Sequence, residues 1–484
     1  MKKIIFLTVF ALAILVNSCT DFDVSNENPD VASNIDLHPE ILLTNLENNA
    51  VNELVGDAWS EGNLMGQYGA RIVFTEFDLF EWGSQSGLWN NLYLAISDAK
   101  ALEKIANEKG FDNYAGVSKV MQAWLFSILT DMYGDVPFIE VNQATEENYT
   151  PFYDTQEDIY NGLLDMLAEA NTLLDGANNV DGDLYFGGDV TVWRKFANSL
   201  RLRLALRLSE VNPSKAASVI KTIYDAPIAN PYIMSNADNA SITFSTSSPF
   251  AHPVTEESGY RVGSYNEYRI AEHFVGILKN FNDPRLEFIA DPTANSVVNG
   301  TLEVQGMQNG IVDGPAYEYK GGDSFLSKFN IGYFYLTPNS NQARFIIHSE
   351  VMFILAEAAQ RNWISADAQT LYNEGVASNF AYWGVNMPAN YLSTTGVAYD
   401  GELETIINQK YIALFYTDFQ GFIEFRRTGF PNTIEPGPDA FYDIYPSRFE
   451  YPGNEAVLNK ENYNTAVARM SGGDKITSKV WWEN

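Results

Sequence analysis

Apolar residues recur at three- and four-residue steps through most of the chain, and polar residues fill the positions between them. This period predicts helices over about 38–56, 88–108, 113–133, 156–175, 191–210, 213–224, 349–362, 366–383 and 401–417. In the 191–210 segment, Trp193, Phe196, Ala197, Leu200, Leu204 and Leu208 line one face. The cations Arg194, Lys195, Arg201, Arg203 and Arg207 mostly fall elsewhere and read as a solvated face paired with carboxylates, in preference to an anion site. Between about 226 and 345 the pattern gives way to Gly, Pro, Asn, Ser and aromatics, with helical period only near 267–280. That stretch is expected to be irregular with short strands, and long structured loops of this kind often carry function.

Several predicted helices form close pairs. Ser349 to Trp363 meets Ala366 to Trp383 across a very short turn, and Val192 to Glu210 meets Ser214 to Asp225 across Asn212-Pro213. Helix–turn–helix units with small residues at the contacts, here Ala356, Ala358, Ala359, Gly375 and Ala377, resemble tetratricopeptide repeats.

The chain begins differently. Lys2 and Lys3 precede an unbroken apolar run from Ile4 to Val16, closed by Asn17-Ser18-Cys19. A run this short falls below the roughly 20 residues that span a bilayer and reads as a secretory signal over 1–18. Cys19 is the one cysteine in the sequence, so it has no intramolecular disulfide partner. Its position marks it for lipidation, with simple cleavage as the alternative. The polar stretch 19–36 then reads as a flexible tether and 37–484 as one continuous body. With 62 acidic against 30 basic residues, the formal net charge of −32 repels phosphate backbones, so no nucleic-acid partner is expected.

Little in the sequence points to catalysis. None of the four histidines, His38, His252, His273 and His348, pairs with another at metal-binding helical spacing. Gly83-Ser84-Gln85-Ser86-Gly87 has the outline of a nucleophile elbow but carries Gln85 at its centre. Paired carboxylates for glycoside hydrolysis stay open on the residues alone. Asp181-Gly182-Asp183 with Gly188-Asp189 lacks the alternating order of a calcium loop and reads as a turn before the helix near Val190. No metal or cofactor is expected from these residues.

Five stretches carry a resemblance to a known family. Ser349-Glu350-Val351-Met352-Phe353-Ile354-Leu355-Ala356-Glu357-Ala358-Ala359 is similar to the signature helix of SusD/RagB-type nutrient-binding outer-membrane lipoproteins. Trp193 to Arg203, Gln409 to Phe415 and Phe425-Arg426-Arg427-Thr428-Gly429-Phe430-Pro431 agree with it, and the ending from Ser447-Arg448-Phe449 to Trp481-Trp482 resembles the SusD-like subgroup. The resemblance implies an all-α, tetratricopeptide-like scaffold whose long irregular loops form a ligand face. It further implies a lid on a SusC-like, TonB-dependent transporter that imports glycan or, in RagB-like members, peptide. It also implies a binding protein and not an enzyme. A helical-repeat scaffold without a small ligand is the third reading. Glu350 and Glu357, with Arg426 and Arg427 as partners, are expected to hold repeat units in register by buried ion pairs.

Neutral sugars present flat C–H faces edged by hydroxyls, so a site for them needs aromatic platforms beside forked polar groups. Between Tyr68 and Tyr93 both occur, and family members place ligand contacts in this region. The expected ligand-binding residues are Arg71, Phe77, Phe80, Trp82 and Asn90, faced by Tyr265 and Tyr268 from a second aromatic cluster that also holds Tyr260, Tyr333, Phe334 and Tyr335.

Overall fold

The computed structural model describes residues 38–483, apart from 142, 144–146, 175–177, 246–265 and 331–341. Its longer helices are α1 (Pro39–Asp57), α2 (Ser86–Lys109), α3 (Asp112–Tyr133), α4 (Gln156–Leu173), α5 (Val190–Arg207) and α6 (Pro213–Asp225). They continue with α7 (Glu272–Asn280), α8 (His348–Gln360), α9 (Ala368–Trp383), α10 (Leu403–Leu414), α11 (Gln420–Thr428) and α12 (Lys460–Arg469). Strands β1 (Gly69–Arg71) and β3 (Tyr268–Ile270) pair antiparallel, as do β2 (Ala240–Thr243) and β4 (Gln342–Ile346). The architecture is the expected all-α helical-repeat scaffold.

Every helix predicted from the period is present. The caps explain several boundaries: Thr155, Asp189, Asn212 and Asp367 each accept a backbone N–H from the first turn of the following helix. Pro213 sits at the start of α6, where its missing N–H costs nothing. Two helices lacked a legible period, α11 and α12. Near 267–280 the chain forms strand β3 before α7, because β1 offers it a pairing edge.

Helix α3 is buried on nearly every side, as its almost continuous apolar sequence requires, and packs against α2 and α4. Helices α8 and α9 form a tight pair: a Cβ on Gly375 would lie 2.9 Å from the Phe353 ring. One large core joins α1 to α6 and α8, while a second gathers α7, α9 and α10 around Tyr411 and Phe415.

The cations of α5 correct the expectation of a solvated face. Arg201, Arg203 and Arg207 are buried, because α5 from Phe196 onward lies between the repeat units with no free side, whereas Arg194 and Lys195 near its start are half-buried and Lys195 pairs with Asp238. Arg203 pairs with Glu350, while Arg207 donates to Gln420 Oε1 at 2.8 Å. Glu357 meets Arg427, as expected, at 2.6 Å, and Glu424 joins the same network with Lys410. Glu350, in contrast, takes Arg203, and Arg426 packs its guanidinium on Trp482 while donating to Asp131 O at 2.8 Å. The Asp181–Asp189 stretch is a turn: Asp183 accepts the N–H groups of Tyr185, Phe186 and Gly188 and the Trp193 indole N–H.

Candidate ligand-binding face

Pairing of β1 with β3 sets Arg71 opposite Tyr268, bringing together two segments nearly 200 residues apart. Glu272 N–H donates to Met307 O at 2.7 Å and Met307 N–H to Ile270 O at 2.9 Å, adding a third segment. The crossing of a fourth is so close that a Cβ on Gly437 would lie 2.1 Å from Asn309 O, and Gly310 opposite it has a φ of +68°. Thr75 N–H to Asp313 Oδ1 at 3.0 Å, Val312 N–H to Asp439 Oδ2 at 3.1 Å and Phe441 N–H to Leu79 O at 3.1 Å complete the lacing. A small apolar cluster of Ala70, Ile72, Met307, Ile311, Ala316 and Leu326 supports these loops from below.

The four segments enclose a cleft of about 330 Å³. Its lining is polar and forked: Gln67, Gln308 and Asn309 supply amides, Glu272 and Glu435 carboxylates, and Tyr319 a half-exposed ring. Several of these groups are held in place. Gln67 Nε2 donates to Glu435 O at 2.7 Å, Asn309 Nδ2 to Gly69 O at 2.7 Å, and the Tyr319 hydroxyl to Glu272 Oε2 at 2.6 Å. Lys320 also binds Glu272, and these partners hold its carboxyl below the usual range. Burial pushes His273 down to about 4, so the imidazole facing the cleft is neutral at physiological pH, with Nε2 lacking a partner among the described residues. The segments laced together here also expose Phe74, Tyr317, Phe441 and Tyr442.

Arg71 and Tyr268 meet as expected, with Arg71 Nη2 donating to the Tyr268 hydroxyl at 2.6 Å and the guanidinium 4.8 Å from the ring centroid. Tyr268 is nonetheless buried and braces Arg71. Phe80 and Trp82 do not form a surface platform: Trp82 is 2% exposed and donates its indole N–H to Phe77 O at 3.1 Å. Phe80, Phe422, Tyr445 and Phe449 pack against Trp82 edge-on, and half-buried Phe77 stacks on it. Apolar burial on both sides of the loop draws these rings inward. Asn90 is exposed on the second turn of α2, outside the cleft lining. Tyr265, with Tyr260, Tyr333, Phe334 and Tyr335, lies outside the described residues.

Sequence reasoning missed the residues that line the cleft. Asn309-Gly310 and Pro436-Gly437 are turn dipeptides that mark the crossing loops, but their convergence has no local signature.

This fold and loop face agree with what the chain is similar to. The family model described as "Starch-binding associating with outer membrane", SusD-like, matches residues 30–452, and the protein belongs to this family. Among solved structures, a chitin-binding protein superposes with a TM-score of 0.79 at 27% identity, covering 92% of this chain and 100% of its own. A SusD homologue from Bacteroides fragilis gives 0.76 at 27% identity, with 92% and 99% covered. A chitin-binding SusD homologue from Flavobacterium johnsoniae shares the fold at 22% identity, with a TM-score of 0.76 over 92% of this chain and 98% of its own. No curated protein matches the sequence. The family is one of outer-membrane-associated, nutrient-binding proteins; among the described residues no helix is long and apolar enough to cross a membrane.

Proposed function

We propose that this protein is a lipid-anchored surface protein of the outer membrane that binds oligosaccharide on the loop face and delivers it to a SusC-like, TonB-dependent transporter. The observation that carries the reading is the polar cleft of about 330 Å³, with fixed amides and carboxylates around Tyr319 and exposed aromatics on the same laced segments. Forked acceptors and donors suit sugar hydroxyls, and ring faces suit their C–H surfaces. The starch in the family's description and the chitin of two matched structures make neutral glycan the first class to test. Calorimetric titration with malto- and chito-oligosaccharides and with short peptides decides it. Saturable glycan binding supports the reading, and peptide binding alone replaces it with a peptide-capturing lid.

Residues 1–18 act as the signal and 19–36 as the tether, with Cys19 carrying the lipid. Cys19→Ala is expected to leave a folded protein in the soluble fraction, without fatty-acid label. An unlabelled wild type would remove the anchor from the account. Delivery requires a transporter complex, and the tether keeps the two at high effective concentration. Pull-down from mildly solubilised outer membrane should recover a barrel; a lone monomer points to a free-standing binder.

A further inference from the structure

A second concavity, of about 650 Å³, lies where the start of α1, the α2–α3 turn and the loop 178–181 meet. Its construction is specific. Gly110 ends α2 at a φ of +70°, and Phe111 N–H returns to Ala106 O at 2.8 Å, a helix stop that turns the following side chain outward. Phe111 is thereby 43% exposed, with the Tyr114 ring 6.2 Å away. The Tyr114 hydroxyl donates to Asp181 O at 3.0 Å and accepts Asp181 N–H at 2.8 Å, pinning the facing loop. That loop is seated against α1 so tightly that a Cβ on Gly182 would lie 2.2 Å from Glu40 O. Asn113, nine-tenths buried beneath the groove, donates through Nδ2 to Asn178 O at 2.7 Å and leaves Oδ1 without a partner among the described residues. Asn178, Asn179 and Asp181 are exposed along the same wall.

We propose that this groove is a second saccharide-binding site, taking a neutral oligosaccharide against Phe111 and Tyr114 with its hydroxyls on the Asn178, Asn179 and Asp181 wall. The volume falls within the range of small-molecule sites, and the mixture of ring faces with amides and carboxylates matches the chemistry of a sugar better than that of an anion. None of the groove's lining residues lines the cleft, and helix α2, 24 residues at about 1.5 Å each, ends at the groove, so the two sites are separate. A polymer chain held at both has greater avidity than at either. The proposal rests on the glycan-binding reading above and adds a site to it.

The test is calorimetry with maltohexaose and chitohexaose on the mature chain, with Phe111→Ala, Asn179→Ala and Tyr319→Ala. Phe111 is exposed, so its truncation should leave the unfolding midpoint in place. The expected result is two binding events per wild-type chain, one weakened roughly 2- to 12-fold by Phe111→Ala and reduced by Asn179→Ala, the other by Tyr319→Ala. A single event sensitive only to Tyr319→Ala overturns the second site while leaving the first. A single event sensitive only to Phe111→Ala keeps the groove and overturns the cleft. No binding of either glycan by wild type overturns both.

Discussion

Arg203 on α5 and Glu350 on α8, 147 residues apart in sequence, meet in a two-pronged ion pair, Nε to Oε1 and Nη2 to Oε2 each at 2.7 Å. Both side chains are buried, and Arg203 Nη2 also donates to Phe345 O at 2.6 Å, so one guanidinium ties α5, α8 and the end of β4 together. Such a pair fixes the mutual position of repeat units more surely than it adds net stability.

Removing one partner strands the other. Glu350→Ala is expected to cost about 3–5 kcal/mol, because the Arg203 charge stays buried without compensation. Urea denaturation of purified variants measures it. A loss below about 1 kcal/mol would mean that water reaches the guanidinium and that the pair is not structural.

Trp82 is a stability residue. Its ring fills a core site among Phe77, Phe80, Phe422, Tyr445 and Phe449, so Trp82→Ala should cost about 3–5 kcal/mol through the cavity it leaves. The thermal midpoint should drop clearly. A variant of unchanged midpoint that loses ligand would return Trp82 to the binding surface.

Asp78 gives the fold a pH dependence. Burial pushes its carboxyl up to about 7, although it accepts the Arg71 N–H at 2.7 Å and Asn309 Nδ2 at 3.1 Å. An unfolded aspartate releases its proton near pH 4, so between about 4 and 7 the native state holds more protons. The contribution of Asp78 to stability therefore declines as pH rises through that window and levels off above it. Asp78→Asn cannot titrate and should show a flatter fall in urea midpoint between pH 4.5 and 7.5. Parallel curves for the two proteins would contradict this.

The helical frame was legible because a period of 3.6 is imposed locally by the need to bury one face of each helix. Trp193, Phe196 and Leu200 announce α5 regardless of what they touch. What α5's cations do was not legible, since Arg203 is recognisably buried only when α8 is in place beside it. The cleft failed for a related reason. Gln67, Asn309, Tyr319 and Glu435 come from segments that local pattern leaves unconnected, and β1–β3 pairing and the Gly310–Gly437 crossing alone bring them together. Richness in aromatics pointed to the 68–93 segment, yet composition does not distinguish Phe74, which is exposed, from Trp82, which is buried. Arg71 and Tyr268, both expected on the ligand face, meet in a bracing contact with the tyrosine buried.

The most direct test of the glycan-binding face is calorimetric titration of wild type, Tyr319→Ala and Phe74→Ala with the oligosaccharide that wild type binds, alongside their thermal midpoints. Loss of a sugar-facing ring should weaken that binding roughly 2- to 12-fold with the midpoint unchanged, since Phe74 is 56% exposed and Tyr319 half-exposed. Wild-type affinity in both variants would contradict the account and place the ligand away from this cleft.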